Sequence, residues 1–203
     1  ALKDLLNAER YIDLHCFCSP HHQDSTLFPI INLLERAAGL AREDTPAVKL
    51  DKLEALMAQS SASERDIAVI ADLLLLPTGR YGLAELNPRR RREETFEALQ
   101  RQVAELAQKR PVLIVFEDLH WIDPTTRELL DLFIRQIERL PVLLIATFRP
   151  DFIAPWADQP HVTMLTLNRL SRFDSEALVR QLAAKTARLP NDLIGEIVGR
   201  GDG

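Results

Sequence analysis

Five apolar residues in a row, VLIVF at positions 112–116, run directly into two adjacent carboxylates, Glu117 and Asp118. A stretch this short, this rich in β-branched residues and without polar alternation predicts a strand covered by helices on both faces. Strands of that kind belong to parallel sheets. A second such run, VLLIA, occupies 142–146. Between the two, Leu129, Leu130, Phe133, Ile134 and Ile137 fall on one side of a helix, and Arg127, Asp131, Arg135 and Glu138 fall mostly on the other. Strand, helix, strand in that order predicts a right-handed crossover between parallel strands and places the chain in the α/β class.

The remaining pattern extends this scheme. Positions 11–18 alternate, with Ile12, Leu14, Cys16 and Cys18 on one side, and Ser19 and Pro20 stop the strand. Helical spacing follows at 26–38, 47–58 and 62–75. Thr45 and Pro46 supply an N-cap and a first-turn proline to the second of these, and Ser61 with Glu64 reads as a capping box for the third. Asn87 and Pro88 open a longer helix that carries Phe96, Leu99, Val103 and Leu106 on one face, runs to about Lys109 and ends before Pro111. Beyond 147 the sequence predicts a strand at 162–167 and a helix at 175–186. The expected organisation is a single domain over 1–203, with a helical insertion at about 25–109, a strand–helix–strand region at 111–150 and a C-terminal strand and helices at 161–203. No internal repeat is present, which excludes a solenoid.

Composition narrows the setting. With 203 residues, 46% hydrophobic and 27% charged, the chain has the makeup of a globular domain and of neither a disordered nor a collagen-like one. No apolar run approaches the roughly 18 residues of a membrane span, so neither a span nor a membrane partner is expected. The 25 basic against 30 acidic residues give a net charge of -5, which argues against a direct nucleic-acid partner. Two cysteines cannot build a disulfide framework, and the expected compartment is the reducing cytoplasm. The cluster of His15, Cys16, Cys18, His21 and His22 invites a zinc reading, but C-x-C on a strand lacks knuckle spacing and reads as two small apolar thiols. The basic run Arg89, Arg90, Arg91 and Arg92 leads into Glu93 and Glu94 and reads as a solvated charged helix face.

The chemistry concentrates at the end of the 112–116 run. Ligands of open α/β sheets bind beyond the carboxyl ends of the strands, where Glu117 and Asp118 project. Two carboxylates there can hold Mg²⁺, directly or through water, and orient a water against a phosphate. Asp123 precedes Pro124 and is read as a helix N-cap. For His120 and Trp121, packing is the simpler role.

The string VLIVFED followed by HWIDP resembles the Walker B strand of P-loop ATPases of the STAND and AAA+ type. The segment LLIATFRP at 143–150 is similar to the next strand of that fold, which ends in a phosphate-sensing position. The resemblance implies an ASCE-type P-loop NTPase sheet flanked by helices. It makes Glu117 and Asp118 the catalytic and Mg²⁺-organising acids, with roles assigned jointly because their order departs from the commoner Asp-Glu. Thr147 and Arg149 become the nucleotide-binding sensor residues, with ATP and Mg²⁺ as substrate and cofactor. For Arg149 the plainer alternative is a surface arginine before Pro150. Residues 18–25 and 50–56 also resemble the ATPase module found beside class III adenylate or guanylate cyclase domains in large bacterial signalling proteins. Related modules sit in transcriptional regulators.

None of the seven glycines is followed by lysine, so these residues contain no G-x-x-x-x-G-K-[ST] phosphate loop. The resemblance reads residues 1–6 as the latter part of the helix after that loop, and therefore expects the loop and its central strand upstream. Without that strand the chain is expected to fold poorly or leave an open groove in its sheet, and to bind ATP weakly or not at all. Two functions follow as expectations. One is an ATP-driven regulatory switch whose partners are the upstream P-loop segment and output domains of the same polypeptide, with a homo-oligomer also admitted. The alternative is a nucleotide-incompetent scaffold.

Overall fold

Three strands, β1 (Ile12–Phe17), β2 (Val112–Glu117) and β3 (Val142–Ala146), form a parallel sheet in the order β1-β2-β3 in the computed structural model, which describes residues 11–81, 87–183 and 190–200. Ile12 pairs with Val112 and Val112 with Val142, so the strands start level; Phe17 ends opposite Glu117. The chain divides into two units, Ala1–His161 and Val162–Gly203. No described helix is long and apolar enough to cross a membrane.

In the first unit the chain passes from β1 through α1 (Phe28–Ala38), α2 (Pro46–Ala58), α3 (Glu64–Leu73) and α4 (Pro88–Lys109) into β2, then through α5 (Pro124–Ile137) into β3. Both connections step the same way across the sheet, and right-handed crossovers that do so put their helices on one face. The even-numbered positions fit this: Leu14, Cys16, Ile114 and Phe116 share a cavity wall with side chains of α1, α2, α4 and α5. On the odd-numbered face Phe17 is 39% and Leu143 51% exposed, and of the described odd positions only Leu113 is buried. Cover by helices is thus seen on one face among the described residues, where the apolar runs had suggested two.

Helix boundaries follow local chemistry. Thr45 accepts from the Val48 N–H at 3.4 Å and Asn87 from the Arg90 N–H at 2.9 Å, each with a proline beginning the helix. The capping box of α3 sits two residues later than Ser61 and Glu64. Ser63 accepts from the Asp66 N–H at 3.1 Å and Asp66 accepts from the Ser63 N–H at 3.3 Å. Ser61 instead takes a left-handed backbone, φ 55°, and ends the preceding turn.

The second unit holds α6 (Arg172–Ala183) and α7 (Asn191–Arg200), which pack on each other. The expected strand at 162–167 is not formed: this segment has no ladder, and Leu165 and Leu167 are 81% and 90% exposed. β-propensity makes a strand only where an edge offers hydrogen bonds, and no described strand pairs with this segment. The helix expected at 175–186 is seen as α6, and α7 was not anticipated. Residues 1–6, read as part of the post-loop helix, lie outside the described residues, as do 184–186.

Asp123 is a buried carboxylate that joins two helix starts in the first unit. It is 2% exposed, and its Oδ1 accepts from the N–H groups of Thr125 at 3.1 Å, Thr126 at 2.9 Å and Leu27 at 3.2 Å. Its Oδ2 accepts from the Thr126 hydroxyl. One side chain therefore caps α5 and holds the entry to α1, where Leu27 has φ 57°. Removing it in Asp123→Ala deletes the cap and strands a buried donor, so unfolding free energy should fall by about 2–4 kcal/mol in chemical denaturation.

Asp66 links α3 to α4. Burial pushes its carboxyl up, but hydrogen bonds from Arg101 and Ser63 and the Arg101 charge outweigh this and hold it below the usual carboxylate range. Arg101 Nη2 lies 2.6 Å from Asp66 Oδ1. A lowered folded-state pKa stabilises above the unfolded value near about 4, and the contribution is lost as pH falls through the folded value. The stability gap between the parent and Asp66→Asn should therefore be widest near neutrality and shrink below about pH 4 in parallel melts.

Candidate functional site

At the carboxyl end of the sheet, β2 stops at Glu117, whose carbonyl accepts from the Cys18 N–H at 3.0 Å. Glu117 lies on the odd face, as does His15 on the neighbouring strand, and the Glu117 carboxylate is 3.3 Å from His15 Nε2 with 41% of its side chain exposed. The chain then turns sharply. Asp118 has φ 59° and ψ 47°, its side chain makes no capping bond, and it is exposed. A left-handed non-glycine residue is uncommon, though aspartate tolerates it better than most.

Thr147, one residue beyond β3, fixes this turn. Its N–H donates to the Phe116 carbonyl at 2.9 Å and its own carbonyl accepts from the Leu119 N–H at 2.8 Å. Its hydroxyl accepts from the Asp118 N–H at 3.1 Å. The short 3-10 turn Leu119–Trp121 follows, and the Arg149 guanidinium lies 5.6 Å from the Trp121 ring centroid. The structure thus joins Asp118 directly to Thr147 and sets Arg149 on the turn that leaves Asp118. Glu117 is joined instead to His15. The cation–π contact gives Arg149 a defined place and Trp121 a role beyond packing.

Two features of this end were not drawn from the sequence. The His15 contact depends on the β1–β2 register, and the Arg149–Trp121 stacking on the fold of the turn. Neither leaves a local motif.

Among the described residues no group of three or more His, Cys, Asp or Glu could cage a metal ion. The donors at the strand end suit Mg²⁺ in another way: that ion commonly takes one or two carboxylates, keeps several waters and shares the phosphates of its substrate. Burial, the neighbouring Cys18 sulfur and, against them, Arg36 leave the Cys16 thiol pushed up to about 12. Burial and the charges of Asp123 and Asp118 push Cys18 up to about 12 as well. Both remain neutral thiols near pH 7, and His22 stacks on Phe28 at 3.6 Å. The basic run is ion-paired: Arg89 to Glu93 at 3.0 Å, Arg91 to Asp72 at 2.9 Å and Arg92 to Glu128 at 3.0 Å.

The family model described as AAA ATPase domain matches residues 2–145. That range includes Glu117 and Asp118 and stops short of Thr147 and Arg149. A Rhizobium meliloti (strain 1021) protein described as uncharacterized is 30% identical over 164 residues, which is 80% of this chain and 16% of that protein. The chain therefore matches less than a fifth of that relative's length. No solved structure matches.

The left-handed turn offers a direct stability test. Asp118→Gly should be at least as stable as the parent, because glycine adopts this conformation without a Cβ clash. Asp118→Val should lose about 1–2 kcal/mol in denaturant titration.

Proposed function

The chain belongs to the AAA ATPase domain family, and on that premise we propose that it is the ATP-binding, ATP-hydrolysing switch module of a multidomain bacterial signalling protein, with a nucleotidyl cyclase or transcriptional output domain on the same polypeptide. The observation that carries this reading is the adjacent pair Glu117 and Asp118 at the carboxyl end of the middle strand, tied to Thr147 through the Asp118 N–H. Buried strands do not need acids at their ends for stability, and ligands of α/β sheets gather at that edge.

Glu117 and Asp118 would hold Mg²⁺, directly or through water, where its charge offsets that of the phosphates. As carboxylates they accept a hydrogen bond from the attacking water and orient it. The Thr147 hydroxyl accepts from the Asp118 N–H, which leaves its own hydrogen to donate to a phosphate oxygen. Arg149, positioned over Trp121, brings positive charge to the same end, where it stabilises a transferring phosphoryl group and reports its presence. Movement of the strand end with nucleotide state would then pass to the attached domain.

The test is Mg-ATP binding and turnover by a protein extended upstream through the glycine-rich loop that the resemblance calls for. Turnover is expected in the parent, with a loss of about 10²–10⁴-fold and retained binding in the Glu117→Gln/Asp118→Asn double variant. A parent that ignores Mg-ATP overturns the switch and leaves the scaffold reading.

A further inference from the structure

An open hollow of about 520 Å³ lies against the first turns of α5 and the loop that follows β3, a volume within the ordinary range of small-molecule sites. Three charged side chains of α5 line it: Arg127, Glu128 and Asp131. Glu128 is already spent on Arg92, at 3.0 Å. Arg127 and Asp131 stand one helical turn apart on the same face, yet no salt bridge joins them, and among the described residues neither side chain has another partner. Arginine four residues before aspartate is the weaker order for such a pair, since each charge then opposes the helix dipole.

The two unspent charges differ in setting. Arg127 is exposed, whereas Asp131 is half-buried: its Oδ1 is buried without a partner, and its Oδ2, which has none either, is not buried. A carboxylate partly removed from water attracts a cation more strongly than one in bulk solvent. Beside these charges Ile122 and Phe152 give the hollow apolar surface, and Phe152 is held in place by Phe148 and Trp156, with ring centroids at 5.2 and 6.3 Å. His120 adds only ring carbon surface, because both its nitrogens are buried. The charge pattern selects the ligand. A simple anion drawn to Arg127 also meets Asp131, and a simple cation drawn to Asp131 also meets Arg127, so repulsion offsets much of either gain. A molecule that carries both charges close together gains on both sides.

We infer that this hollow, with Arg127 and Asp131 unpaired one helical turn apart beside Phe152, is a binding site for a free α-amino acid with an apolar side chain. The ligand's carboxylate meets the Arg127 guanidinium, whose fork of donors suits it, and its ammonium meets Asp131. Its side chain lies against Ile122 and Phe152. The site uses neither Glu117 nor Asp118 and stands whether or not ATP is hydrolysed.

Leucine is the probe, with N-acetylleucine, which lacks the ammonium, and leucinamide, which lacks the carboxylate, as controls. Titration of the protein, read by ligand-detected NMR, should show saturable leucine binding with each control weaker by about fivefold or more. Asp131→Asn should abolish the preference for leucine over N-acetylleucine and keep the preference over leucinamide. Arg127→Gln should do the reverse. Both substitutions are close in size and fall on side chains without a partner, so the fold has no contact to lose, and each variant serves as the control for the other. The inference is overturned if leucine binding does not saturate, if either control binds the parent as tightly as leucine does, or if either variant keeps both preferences.

Discussion

The first unit depends on a buried carboxylate with an unusual number of duties. Asp123 caps α5, but the same oxygen also accepts from the Leu27 N–H at the entry to α1, 96 positions away in sequence. A helix start leaves orphan donors, and here two starts bring theirs to a single acceptor. The loop leaving β1 and the turn leaving β2 are thereby fixed to each other, on the side of the sheet where the strand-end acids sit. The cost of burying the carboxylate is offset by four hydrogen bonds, which leave neither oxygen unpaired.

That anchoring explains why the strand ends are sharply defined. Between Phe116 and Asp123 the chain must leave a buried strand, turn, and enter α5 at a fixed point. It does so with one left-handed residue, Asp118, and one short turn, Leu119–Trp121. Thr147 satisfies the backbone groups this path exposes, through three hydrogen bonds from a single residue. The left-handed backbone here carries an exposed carboxylate, where glycine would sit without a Cβ clash.

Much of the architecture was legible because its signals are local. Continuous apolar runs gave β2 and β3, proline and polar caps gave the starts of α2, α4 and α5, and Asp123 was legible as a cap from the proline after it. One miss was non-local and one was local. The run at 162–167 has strand-like composition but pairs with no described strand. The capping box slid from Ser61 to Ser63 because aspartate at the third helical position does the work the sequence rule assigns to glutamate. Of the candidate site, Glu117 and Asp118 were singled out from their place after an apolar run, and Thr147 and Arg149 from the family resemblance of 143–150. His15 and the Arg149–Trp121 stacking were not, since one depends on register and the other on a turn.

Register also divides the labour between the two acids. Glu117 is still in the ladder, so alternation sends its side chain to the odd face, where His15 of β1 meets it at 3.3 Å. Asp118 has left the ladder, takes a left-handed backbone and is exposed. Adjacent carboxylates on a continuous strand would point in opposite directions and could not serve one site. With the strand ending between them, Glu117 meets an imidazole on the sheet and Asp118 is carried on a turn tied to Thr147. An inverted order, with the shorter side chain in the ladder, would shorten the reach toward His15 by one methylene. The Glu-Asp order is therefore matched to this strand end, with the longer side chain where a cross-strand partner must be met and the shorter one on the left-handed turn.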